Sequence, residues 1–108
     1  MKTLSEITVT DLESVNIDSF DNSYFPIEHF IEGIFKSLNI EYFKNSANTG
    51  TVYYNIAWNE DRNIKLRLAN HKKSNYLGRE IDSEIIYNED ATESDIYNAL
   101  YQELAWRL

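Results

Sequence analysis

The stretch that most constrains the fold is residues 51–71, where two runs of alternating apolar and polar residues flank a polar turn. This is the pattern of a β-hairpin with one buried face. Val52, Tyr54, Ile56 and Trp58 project to one side of the first strand, and Ile64, Leu66 and Leu68 to the same side of the second. The opposite side carries Tyr53, Asn55 and Ala57, then Lys65, Arg67 and Ala69. A sheet with one apolar face must be covered, and flanking helices are the expected cover.

Two helices are legible. Ile27, Phe30, Ile31, Ile34, Phe35 and Leu38 recur at steps of three and four and predict an amphipathic helix from Pro26 to about Asn39. Pro26 suits a first turn, where its missing N–H is not needed, with Asn22 or Ser23 as cap. Glu28, His29, Glu32, Gly33 and Lys36 form the polar side, with Glu32 and Lys36 at i,i+4 spacing. The second helix begins after Thr92, an N-cap residue followed three positions later by Asp95. Its apolar stripe is Ile96, Tyr97, Leu100, Tyr101, Leu104 and Leu108, and Trp106 falls off that stripe as a candidate contact residue.

Ile40–Lys44 reads as a strand following the first helix, and residues 81–87 as a strand beside the hairpin. Asn45–Gly50 has turn composition, and residues 72–79 show no regular period. In the N-terminal segment, Ile7 and Val9 fit a short edge strand, while residues 10–15 fit equally a helical turn capped by Thr10. Asp18–Ser23 reads as a loop. The order predicts an α+β fold: an antiparallel sheet of three to four strands with two main helices packed on one face. A length of 108 residues fits a single compact domain over residues 1–108, with residues 1–23 its least regular part.

Composition removes several classes of chemistry. There is no cysteine, which excludes disulfides, thiolate nucleophiles and cysteine-ligated metals. Neither His29 nor His71 has a partner at zinc-binding spacing. The three glycines build no phosphate-cradling loop, and no serine sits in a nucleophile elbow. The expectation is therefore a protein that is not an enzyme and uses no metal or cofactor. No apolar run approaches the roughly 18 residues that cross a bilayer, and the N-terminus lacks a signal-like apolar stretch, so a cytoplasmic location is the default.

The net charge of −8 is unevenly distributed. Residues 1–61 sum to −7, residues 62–79 to +6 and residues 80–108 to −7. An acidic body opposes direct nucleic-acid binding and favours a basic partner. Glu28 and Glu32 on the first helix, and Glu89, Asp90, Glu93 and Asp95 at the start of the last, are the candidate acidic contact surface. The alternative is contact through the basic loop, with Lys72, Lys73 and Arg79 supplying charge and Tyr76 and Leu77 apolar area, or through Trp106. Lys65 and Arg67 either bind phosphate beside Tyr53 or pair with Asp82 and Glu84 across strands.

The helix–strand–hairpin–helix order resembles double-stranded-RNA-binding domains over Ile40–Ala57. That family places lysines at the start of its final helix, where this chain has Asn88-Glu89-Asp90-Ala91-Thr92-Glu93-Ser94-Asp95, so its mode of RNA binding is disfavoured. The stretch Ile64-Lys65-Leu66-Arg67-Leu68-Ala69-Asn70-His71, with Arg79-Glu80-Ile81-Asp82 soon after, resembles short proteins carried by phages and prophages. These include anti-defence proteins such as anti-CRISPRs. The resemblance implies a stoichiometric inhibitor that works by binding; with the acidic charge, the expected partner is a basic, nucleic-acid-binding effector such as a CRISPR effector in a bacterial host.

Overall fold

The computed structural model describes residues 1–19, 27–46, 50–72 and 81–108. The chain forms α1 (Val9–Glu13), α2 (Ile27–Ser37), β1 (Tyr42–Ser46), β2 (Val52–Asn59), β3 (Arg62–Ala69), β4 (Ser83–Ile86) and α3 (Glu93–Ala105). Short 3₁₀ turns at Leu4–Glu6 and Ile17–Ser19 flank α1. The fold is α+β, with one four-stranded sheet in the order β1-β2-β3-β4 and two main helices, α2 and α3. The expected caps Asn22 and Ser23, and Pro26, lie outside the described residues.

The central hairpin has the predicted facing, with Tyr54 opposite Leu66 and Ile56 opposite Ile64. A bulge at Ala57–Asn59 interrupts it beside Trp58. One detail of the sheet departs from expectation. β4 runs parallel to β3, so the sheet is mixed rather than antiparallel throughout. An antiparallel return needs only a tight turn, whereas a parallel one needs a crossover of a dozen or so residues. Residues 70–82 are long enough for the crossover.

Phe30, Ile31, Ile34 and Phe35 of α2 and Ile96, Leu100 and Leu104 of α3 join Val52, Tyr54, Ile56, Ile64, Leu66 and Leu68 in one core. α2 ends two residues before the predicted boundary, in a Schellman motif. Asn39 adopts φ 57°, a conformation that asparagine tolerates better than most residues. The Ile40 amide donates to the Phe35 carbonyl at 2.9 Å and the Asn39 amide to the Lys36 carbonyl at 3.1 Å. Ile40 and Phe35 are both buried, as the motif's apolar contact requires. This reversal starts β1 two residues later than the sequence pattern indicated.

The N-terminal segment resolves as helix, capped by Thr8 rather than Thr10. Thr8 and Asp11 form a capping box, as Thr92 and Asp95 do for α3. Before it, Lys2 forms a parallel bridge with Ile40.

The hairpin's outer face divides into two halves. Tyr53, Ala57, Arg67 and Ala69 are buried there, against the expectation of a single buried face. Phe43 and Asn63 on the same face are exposed.

Candidate functional site

The carboxylates of α2 face the sheet, not solvent alone. Lys44 of β1 lies 2.8 Å from Glu28 and 3.1 Å from Glu32. The buried Tyr54 hydroxyl donates to Glu32 at 2.9 Å, and Tyr42 donates to the same carboxylate at 3.4 Å. Glu32 is therefore paired across the fold with Lys44, not with Lys36 one turn along its own helix. Burial alone would raise the Glu32 pKa, but the Lys44 and Tyr54 hydrogen bonds, aided by the Lys44 charge, hold it below the usual carboxylate range. Lys44 is raised, chiefly by its hydrogen bond to Glu28. Tyr54 is pushed far above the ordinary tyrosine value, first by burial and then by its bond to Glu32. Two of the six predicted acidic contact residues thus share a single lysine inside the fold, two carboxylates to one ammonium.

Arg67 is 1% exposed, and its Nη1 lies 2.8 Å from a Glu84 carboxylate oxygen. The same nitrogen donates to the His71 carbonyl at 3.1 Å. Arg67 and Glu84 are cross-strand neighbours in the parallel β3–β4 pair, so the side-chain pair and the register reinforce one another. Of the two expected uses of Arg67, phosphate binding or pairing, the structure has pairing. Lys65 differs: its backbone amide, not its side chain, bonds to Asp82 at 2.8 Å.

The helical layer is the opposite case. Residues 3–19 hold Glu6, Asp11, Glu13 and Asp18 without a lysine or arginine. Residues 88–106 hold Glu89, Asp90, Glu93, Asp95 and Glu103, again without one. The fold brings these two stretches together. Tyr97 of α3 donates to the Leu12 carbonyl at 2.6 Å, and Tyr101 donates to Glu13 at 2.7 Å. Asp95 and Asp11 accept the backbone amides of the cap residues Thr92 and Thr8. Glu89 and Asp90 are exposed in the turn before α3, and Glu93 is half-exposed in its first turn. None of these carboxylates enters an ion pair among the described residues. The sequence assignment missed Asp11, Glu13 and Asp18. The signal that could have found them is the shared lack of cations in residues 3–19 and 88–106.

The alternative surfaces are distributed differently. Trp106 is 68% exposed, with the Arg107 guanidinium 3.9 Å from its ring centroid. Arg62 sits 5.1 Å from the Trp58 ring centroid. Burial lowers the Arg107 pKa, Glu103 and Asp82 oppose that shift, and the charge of Arg62 adds to it. Of the basic loop only Lys72 is described, and it is exposed; Lys73, Tyr76, Leu77 and Arg79 lie outside the described residues.

His29 is exposed on α2. His71 hydrogen-bonds the Asn70 side chain at 2.9 Å and lies 3.5 Å from the Thr51 hydroxyl. No three potential metal-ligating side chains converge among the described residues. No helix among them is long and apolar enough to cross a membrane. Comparison with protein-family models, curated proteins and solved structures finds no match.

Proposed function

We propose that the domain is a non-enzymatic binding protein whose acidic helical face occupies a basic, nucleic-acid-binding surface of a protein partner. The observation that carries this reading is the docking of two cation-free stretches against each other through Tyr97 and Tyr101. Carboxylates on a rigid scaffold can stand in for phosphates in an electropositive groove and exclude the nucleic acid that belongs there. Glu89, Asp90 and Glu93 are the contact residues. Glu28 and Glu32 support the fold instead. The resemblance to phage-borne proteins supplies the class of partner: a bacterial nucleic-acid-processing effector such as a CRISPR effector, inhibited in the host cytoplasm.

The test is capture of partners from bacterial lysate on the immobilised protein, followed by elution with duplex DNA. The expected result is release of basic nucleic-acid-binding proteins that the variant Glu89→Gln/Asp90→Asn/Glu93→Gln fails to capture. A partner that DNA does not displace and the variant still holds would reject occlusion.

A second reading rests on the exposure of Trp106 beside Arg107, since tryptophan and arginine are enriched among residues that dominate interface energies. Here the domain is an adaptor, Trp106 or Lys72 makes the contact, and the acidity serves solubility. Loss of capture in Trp106→Ala, with the acidic-face variant unaffected, would favour it.

A further inference from the structure

We infer that the open half of the outer sheet face, where Thr3 of the N-terminal segment meets β1–β3, is a binding site for a neutral saccharide. A depression of about 360 Å³ lies there, at the small end of the usual range for ligand sites. Its shape follows from residue size. Ala57 of β2 supplies only a methyl group between larger neighbours, Glu41 and Phe43 on one side and Asn63 on the other. Asn55, opposite Phe43 in the β1–β2 register, continues the lining along β2.

The chemistry of the lining selects the ligand. Phe43 is 65% exposed and offers a flat apolar platform on an otherwise polar surface. Around it are the amides of Asn55 and Asn63 and the Glu41 carboxylate, whose side chains make no hydrogen bond or ion pair among the described residues. Amides and carboxylates offer the paired donors and acceptors that vicinal hydroxyls require. The aromatic face accommodates the C–H face of a pyranose. Among the described residues no lysine or arginine lines the depression, whereas two carboxylates, Glu41 and Glu60, do. Phosphorylated, sulfated or carboxylated ligands are therefore repelled, and the abundance of polar groups disfavours a lipid.

The side-chain amide signals of Asn55 and Asn63 report occupancy directly in a ¹H–¹⁵N correlation spectrum of the whole chain. The probes are N-acetylglucosamine, chitotetraose, maltotetraose and cellotetraose, with uridine monophosphate as the anionic comparison. The expected result is a saturable shift of both signals with at least one saccharide, with dissociation constants of millimolar order or tighter, equivalent to about −4 kcal/mol or stronger. Phe43→Ala weakens that binding at least tenfold, and Phe43→Tyr retains it. Because Phe43 is largely exposed, both variants keep the wild-type melting temperature. No saturable shift with any of the four saccharides would overturn the inference. So would a larger response to uridine monophosphate, or saccharide shifts indifferent to Phe43→Ala.

Discussion

Glu28 and Glu32 on α2, and Glu89, Asp90 and Glu93 at the start of α3, are the same chemistry in opposite company. The first pair has Lys44 between its carboxylates and two tyrosine hydroxyls aimed at Glu32. The second group has no cation in its own stretch or in the stretch docked against it. A carboxylate with a built-in partner contributes to folding; one without is available to a partner from outside. Neutralising acids in the two groups should therefore separate stability from binding.

The largest effect is expected at the most buried charge. Glu84→Ala leaves the Arg67 guanidinium, 1% exposed, without its carboxylate and should cost about 3 kcal/mol, read from urea unfolding midpoints. The double change Arg67→Met/Glu84→Leu, which removes both charges, should cost less than that single change. Equal costs would mean that the pair is not a coupled unit.

Glu32→Ala comes next, at about 1–2 kcal/mol, because it removes the shorter of the two hydrogen bonds made by the Tyr54 hydroxyl and leaves it only the Glu28 carbonyl at 3.3 Å. The same cluster sets a pH dependence. Glu32 is depressed in the folded state, so its contribution is present at neutral pH and lost as pH falls through the carboxylate range. Tyr54 and Lys44 are raised, so theirs is complete below about pH 10 and declines as pH rises further. Glu32→Gln should flatten the acid limb of a melting-temperature profile, and an unchanged limb would place the acid sensitivity elsewhere.

Thr92→Ala, which removes a cap of α3, should cost about 1 kcal/mol by the same unfolding assay. Smallest in stability is Glu89→Gln/Asp90→Asn/Glu93→Gln, within about 0.5 kcal/mol of wild type. Destabilisation comparable to Glu32→Ala would erase the distinction between the two acidic regions. Asp95 is left intact in that variant because its carboxylate accepts the Thr92 amide at 3.0 Å.

Much of the scaffold was legible in the sequence because it depends on local pattern. Period-two alternation marked β2 and β3, three-four spacing marked α2, and the Thr92–Asp95 box marked the start of α3. What the sequence hid depends on contacts between distant residues. Lys36 is the helical neighbour of Glu32, but Lys44 reaches it because the Asn39 reversal turns β1 back beside α2. The direction of β4 was hidden because alternation is the same for parallel and antiparallel strands. Burial of Tyr53 and Arg67 on the nominally polar face was hidden for a similar reason, since both residue types also occur on solvated strands. The six acidic candidates were chosen by position along helices. That criterion could not separate Glu32, which is tied down by Lys44 and Tyr54, from exposed Asp90.

The most direct test is the affinity of the DNA-eluted partner for the wild-type protein and for Glu89→Gln/Asp90→Asn/Glu93→Gln, each measured at about 50 mM and about 300 mM salt. Wild-type binding should weaken steeply with salt, and the variant should bind at least tenfold more weakly at low salt with a flatter dependence. Equal affinities with the same salt dependence would contradict the assignment of the helical face as the binding surface.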